Sequence, residues 1–237
     1  MQINKLMYGL ILAAVATSAQ ATSTISGTVD YSGATVGTSC DGQSESQAPV
    51  FVLTAGATIK NVVIKSGAAA DGIHCLGNCK LENVKWADVC EDAATMKGGS
   101  GTVMYVKGGS AYSASDKVFQ HNGLGSTVQI YGGFYAETIG KLYRSCGNCT
   151  TNTSSGARKV IIDSVKLNGV SAAVVGVNSN YGDVATITNL TIKGWTKGSP
   201  KVCVAYTGNN TGAEPTSLGE KWGTTNCVVS TSNITAY

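Results

Sequence analysis

Ile59-Lys60-Asn61-Val62-Val63-Ile64 carries the pattern that decides the fold: apolar, any, polar, apolar, any, apolar. The pattern returns 22 residues later as Leu81-Glu82-Asn83-Val84-Lys85-Trp86, and again as Ile187-Thr188-Asn189-Leu190-Thr191-Ile192. Ile162-Asp163-Ser164-Val165-Lys166-Leu167 is a looser copy, and two degenerate copies begin at Val103 and Val128, each with glycine in the last place. A unit of this length cannot bury its own apolar face, whereas stacked units bury a continuous core, which is the logic of a solenoid. Helical periodicity is weak throughout. The 30 glycines, 3 prolines and many Val, Ile and Thr favour strands. These features predict an all-β chain with one domain, a right-handed parallel β-helix. An antiparallel β-sandwich is the alternative, but its hairpin signals, expected about every 8–12 residues, do not recur.

The N-terminus reads as a signal peptide. Lys5 is followed by an apolar run from Leu6 to Ala16 and by Ala19-Gln20-Ala21, a small-x-small cleavage site. The run is too short to span a bilayer. Cleavage after Ala21 is expected, leaving a secreted, extracellular chain of residues 22–237. An even count of 8 cysteines then argues for disulfides over metal sites. Cys203 is expected to pair with Cys227 and Cys146 with Cys149. Cys40, Cys75, Cys79 and Cys90 should pair among themselves, in a connectivity the sequence leaves open. Glycosylation sequons occur at Asn148, Asn152, Asn189, Asn209 and Asn233. Without Lys5 the 17 basic residues become 16, against 14 acidic ones. That balance is too even for a nucleic-acid footprint. No nucleic-acid or membrane partner is expected, and the chain is read as a monomer.

The placement of charge is more informative than its sum. Counted from the start of their own repeats, Asp71, Glu91, Asp92, Lys117, Lys141 and Arg144 lie at offsets 12, 10, 11, 14, 13 and 16. Stacking puts all six on one side of the solenoid, on coils about 4.8 Å apart. Three carboxylates from two coils then adjoin three cations from the next two. Grouped carboxylates suit calcium, a hard cation that takes oxygen ligands, and no His or Cys spacing argues for zinc. A salt-bridged surface is the plainer reading, but it explains less well why acids and bases are segregated by coil. Neighbouring cations call for an anion, and a polyanionic substrate supplies one.

At these residues the chain resembles polysaccharide lyase family 3, the compact pectate lyases, from about Val50 to Pro215. The resemblance is carried by Asp71-Gly72-Ile73-His74-Cys75, by Trp86-Ala87-Asp88-Val89-Cys90-Glu91-Asp92-Ala93, and by Asp116-Lys117-Val118-Phe119-Gln120-His121-Asn122. Gly140-Lys141-Leu142-Tyr143-Arg144-Ser145-Cys146-Gly147-Asn148-Cys149 adds a second basic signature, and Asn178-Ser179-Asn180-Tyr181-Gly182-Asp183 is similar to eukaryotic members. One departure is Ala87, where the family often carries an acidic residue. The resemblance implies calcium ligation by Asp71, Glu91 and Asp92, and substrate or catalytic roles for Lys97, Lys117, Lys141 and Arg144. It implies eliminative cleavage of 1,4-linked polygalacturonate (pectate).

In that chemistry Lys117 is the first candidate for the base, and Arg144 is the competing one. A lysine base must act as the neutral amine, below its usual pKa of about 10.4, and a cationic neighbourhood of Ca²⁺, Lys141 and Arg144 would push it that way. Arg144 can also clamp a carboxylate bidentately. Lys97 is read as a substrate contact, and Lys141 as both a catalytic and a substrate-binding residue. No carboxylate or nucleophile is spaced to form a hydrolase triad with His74 or His121, so both are read as structural. Trp86 is read as core, and Tyr143 as either cleft wall or packing. Two rival functions remain: a non-catalytic solenoid that binds pectate, and a polygalacturonase, which would need paired carboxylates to activate water.

Overall fold

The computed structural model describes residues 22–42, 44 and 47–237; the signal-peptide reading falls outside them. Strands wind into a solenoid with three faces. The first face stacks Ser23–Ile25, Phe51–Leu53, Ile73–Cys75, Ala94–Met96 and Lys117–His121. It continues through the later halves of Tyr135–Ser145 and Lys159–Asn178 to Lys201–Thr207. The second face runs from Thr28–Asp30 through Ala57–Lys60, Cys79–Glu82, Val103–Lys107 and Thr127–Tyr131. The third runs from Thr35–Val36 through Val63–Ile64, Lys85–Trp86 and Ser110–Tyr112. All these pairings are parallel; Thr216–Glu220 adds an antiparallel strand against Lys201–Thr207. The all-β parallel solenoid expected from the repeat is therefore the fold.

The repeat has a physical cause. Its polar third residue is a corner between the second and third faces, and it sits in the left-handed region: Asn61 at φ 53°, Asn83 at 52°, Ser164 at 56° and Asn189 at 48°. Asn is among the few residues that adopt this conformation readily. Stacked corners also bond to one another, with Asn83 Nδ2 donating to Asn61 Oδ1 at 3.0 Å.

The register corrects two repeat starts. Leu81 is paired with Val106, and Val106 with Ile130, so the true starts are Val106 and Ile130 rather than Val103 and Val128. The corners of those coils are Gly108 and Gly132, at φ 60° and 70°. Glycine there satisfies the same backbone need as asparagine. From the corrected starts, Asp92, Lys117 and Lys141 each fall 11 residues on, counted from Leu81, Val106 and Ile130.

The first residues of the six units, Ile59, Leu81, Val106, Ile130, Ile162 and Ile187, form one ladder, each at most 1% exposed. Full burial of such a side chain contributes about 1.5–3 kcal/mol. An aromatic column fills the same interior. Phe119 meets the buried Trp86 at a centroid distance of 6.1 Å and Phe134 at 5.2 Å. Four disulfides pair every cysteine. Cys203–Cys227 and Cys146–Cys149 form as expected, and the open set resolves into Cys40–Cys90 and Cys75–Cys79. Among the described residues no helix is long and apolar enough to cross a membrane.

Candidate active site

The outer side of the first face carries the charged group. Lys117 is paired in register with Lys141. Ile73, Ala94 and Phe119 are register partners, so Asp71, Asp92 and Lys117, each two residues earlier, continue the same column. Three residues along the face, Gln120 is paired with Arg144. Gly72, at φ 54°, follows Asp71; a Cβ there would lie 2.3 Å from the Asp92 carbonyl oxygen. Its absence lets the two acidic coils close on each other.

Asp71, Glu91 and Asp92 are all buried, and each offers a carboxylate oxygen within 4.8 Å of the others. Asp71 Oδ1 and Asp92 Oδ1 are buried without a hydrogen bond. Burial raises the pKa of Asp92 well above the usual carboxylate value; Lys117 opposes the rise, while Glu91 and Asp71 add to it. Like charges at this spacing repel unless a cation joins them. Lys117 supplies one positive charge. Its Nζ lies 3.0 Å from Glu91 Oε1, 3.4 Å from Asp92 Oδ1 and 3.6 Å from Asp116 Oδ2. Nearest to Lys117, then, are three carboxylates; Asp116 stands between the two lysines and also takes the Lys141 ammonium. Burial works to raise the pKa of Asp116, but its contacts with Lys141 and Lys117 outweigh that and lower it.

Beside these residues opens a cleft of about 270 Å³, lined among others by Asp116, Lys117, Gln120, Lys141, Arg144 and Tyr206. Arg144 is only 8% exposed, and its burial lowers its pKa. Nη1 donates to Asn178 Oδ1 at 3.0 Å, and the guanidinium carbon sits 4.1 Å from the centre of the Tyr206 ring.

Lys97 is exposed, one residue beyond Ala94–Met96, and is not among the cleft-lining residues. Ala87 lies beyond Lys85–Trp86 on the third face, with its N–H bonded to the Ile64 carbonyl, outside the acidic group.

The two histidines differ. His121 is fully buried between the Tyr143 hydroxyl and Ser126 Oγ, both at 2.7 Å, and is structural as expected. Tyr143 is itself fully buried, so it packs and does not line the cleft. His74 bonds Asp71 Oδ2 at 2.6 Å and so orients a carboxylate of the acidic group. That role was not read from sequence, although the three-residue spacing of Asp71 and His74 was its signal. Asp116 and Gln120 also escaped notice, though both stand inside a quoted motif. Tyr206 and Asn178 reach Arg144 only through the register of later coils, which no local pattern displays.

Comparison with known proteins extends this picture. A family model described as pectate lyase matches residues 10–212. The chain is 47% identical over 186 residues to probable pectate lyase D of Aspergillus fumigatus, covering 78% of this chain and 72% of that one. It is 45% identical over 202 residues to pectate lyase E of Emericella nidulans, covering 81% and 73%. Among solved structures, pectate lyase Pel3 from Pectobacterium carotovorum superimposes with a TM-score of 0.85 at 42% identity, over 95% of this chain and 72% of that one. Pectate lyase PelI from Erwinia chrysanthemi, solved in complex with tetragalacturonic acid, gives 0.82 at 45% identity, over 91% and 70%. A solenoid whose charged column lies on the same sequence segments that this match spans belongs to the pectate lyase family, polysaccharide lyase family 3, and the chain is a polysaccharide lyase.

Proposed function

We propose that this chain is a secreted, monomeric pectate lyase that cleaves 1,4-linked polygalacturonate by calcium-dependent β-elimination, releasing unsaturated oligogalacturonides. The observation that carries this reading is the single column Asp71, Asp92, Lys117 and Lys141, with Glu91 beside it and Arg144 next along the face. The acidic trio fits calcium on its own chemistry. Its donors are all oxygen, as calcium prefers; Asp71 Oδ1 is buried without a hydrogen bond, and Asp92 Oδ1 has only the Lys117 ammonium, at 3.4 Å. Relatives named as pectate lyases, and a neighbour solved with tetragalacturonic acid, support the choice of polymer.

Asp71, Glu91 and Asp92 would hold the cation, with His74 steadying Asp71. Calcium bound there supplies Lewis-acid chemistry, drawing electron density from a uronate carboxylate and so acidifying the adjacent C5–H. Lys141 and Arg144 bind the substrate carboxylates; the planar guanidinium suits a two-oxygen contact. Lys117 takes the C5 proton at Nζ, for which it must first release the ammonium proton that its contacts with Glu91, Asp92 and Asp116 favour. The electrons of that C–H bond form the C4–C5 double bond, the C4–O bond breaks, and the departing oxygen takes a proton from solvent. Arg144 is the competing candidate for the acceptor. Lys97, exposed beyond the cleft, is assigned a contact with a more distant sugar of the polymer.

The test is the ultraviolet absorbance of unsaturated uronides released from polygalacturonate by the pure enzyme. It should rise with added calcium and vanish with chelator. Undiminished elimination after exhaustive chelation would remove the metal from the reading. Cleavage without the new double bond would overturn elimination itself.

A further inference from the structure

We propose that Asn178 is a positioning residue for Arg144, and that Asp183 in turn holds Asn178. The inference rests on the reading of Arg144 as a substrate-binding group of the cleft, and names what fixes its guanidinium. Asn178 is fully buried and ends the strand Lys159–Asn178, one coil beyond Arg144. It precedes the short helical turn Ser179–Tyr181 but makes no side-chain cap to it. Its side chain is committed elsewhere. Nδ2 donates to the Cys146 carbonyl and to Asp183 Oδ2, both at 3.0 Å. An amide with both donor protons satisfied on one side must turn its oxygen to the other. That oxygen accepts from Arg144 Nη1 at 3.0 Å.

Asp183 gives this orientation its permanence. It is fully buried, and its oxygens accept from the Arg158 backbone N–H at 2.8 Å and the Asn178 backbone N–H at 3.2 Å, besides the Asn178 amide. Removing a partner from such a network leaves buried polar atoms unpaired, which is costly. The carboxylate therefore does not reach the cleft; it sets the amide that sets the guanidinium.

Two further contacts complete the cage. Tyr206 covers the guanidinium at 4.1 Å. Gly176, the register partner of Arg144, leaves the room the side chain occupies: a Cβ there would lie 2.8 Å from Arg144 Cδ and 3.1 Å from Tyr206 Cε2. Arg144 Nη2 is buried against Gly147 of the cleft wall without a hydrogen-bond partner. One end of the fork is tied and the other has no partner in the protein.

The experiment is a double-mutant cycle on polygalacturonate cleavage, with Asn178→Ala made in the native chain and in Arg144→Ala. A misplacement of about 1 Å can cost about 10²-fold in rate. Asn178→Ala should thus lower kcat/KM by about 10–100-fold in the native chain and by less than about twofold in Arg144→Ala. An equal loss in both backgrounds, or none in the native chain, overturns the proposal. Near-native activity of Arg144→Ala alone would instead overturn the reading of Arg144. Should Asn178→Ala fail to fold, Gly176→Ala approaches the same guanidinium from another side. Its loss of activity should disappear in Arg144→Ala, where the obstructed side chain is gone, while part of its lowered Tm remains, because the same Cβ also meets Tyr206 Cε2. A loss of activity that persists there would place the defect in the coil and not in Arg144.

Discussion

His74 Nε2 lies 2.6 Å from Asp71 Oδ2, in a buried pair three residues apart on the coil that opens the acidic group. An ionised carboxylate has no proton to give, so the ring N–H donates. The bond fixes one Asp71 oxygen and leaves the other, Oδ1, buried without a hydrogen bond. Groups that orient a metal ligand in this way typically affect metal affinity by about 10–100-fold. His74→Ala should raise the calcium concentration for half-maximal activity by a factor in that range. Activity at saturating calcium should stay within a few-fold of native. A calcium-activation curve checks this; an unshifted midpoint would leave His74 a packing residue only.

Much of the fold was legible because the corner conformation leaves a mark in the sequence. Asn61, Asn83 and Asn189 announce left-handed corners, and the apolar residues around them follow at fixed spacing. Where glycine takes the corner, at Gly108 and Gly132, the mark is lost, and a match on apolar letters slid the starts to Val103 and Val128. The side and order of Asp71, Asp92, Lys117 and Lys141 survived that slip, because a solenoid stacks whatever recurs once per coil. What stayed hidden lies across coils. Asp116 intervenes between Lys117 and Lys141 through side-chain reach, and Asn178 and Tyr206 meet Arg144 only once register is known. His74 was visible as a residue, but its bond to Asp71 depends on the local chain path and not on periodicity.

His121 gives the fold a defined response to acid. Burial, with the positive charge of Arg158 adding to it, lowers its pKa from 6.5 to about 3. The unfolded chain takes up this proton below about pH 6.5, and the folded chain does not until about pH 3. The group's contribution is therefore fully present above the unfolded value and is lost as pH falls across that window, by at most about 1.4 kcal/mol per pH unit. Denaturant unfolding of the native chain at pH 7, 5 and 4 should show this slope. His121→Gln should be less stable at pH 7 but shallower between pH 6 and pH 4. Parallel slopes for the two proteins would refute the assignment.

Asn152 is a sequon that the fold consumes. It is 4% exposed; its amide donates to the Cys146 carbonyl at 3.0 Å and the Asn209 carbonyl at 2.9 Å, and its oxygen accepts from Arg158 Nη2 at 2.8 Å. A glycan on that nitrogen would break these bonds and has no room. Asn189, by contrast, stands exposed on a corner. Glycopeptide mapping of active enzyme made in a eukaryotic secretion host should find Asn152 unmodified. Full occupancy at Asn152 in active material would contradict the placement of this side chain.

Lys117 makes the sharpest separation between roles, because its ammonium stands among the carboxylates assigned to the cation. Removing it deletes a positive charge 3.0 Å from Glu91 and 3.4 Å from Asp92. If Lys117 served only to hold the acidic group together, Lys117→Ala would weaken calcium binding. A cation competing for the same carboxylates has the opposite effect, so Lys117→Ala should bind calcium at least as tightly as the native chain. Turnover should nonetheless fall, by about 10²–10⁴-fold, as general acid–base groups typically contribute. The loss should lie mainly in kcat, with KM little changed. Arg144→Lys is the companion variant: it keeps a positive charge but loses the planar fork, so both kcat and KM should suffer. Calorimetric titration with calcium and steady-state kinetics on polygalacturonate read the two properties separately. A folded, calcium-binding Lys117→Ala enzyme with near-native kcat would pass the proton-acceptor role to Arg144.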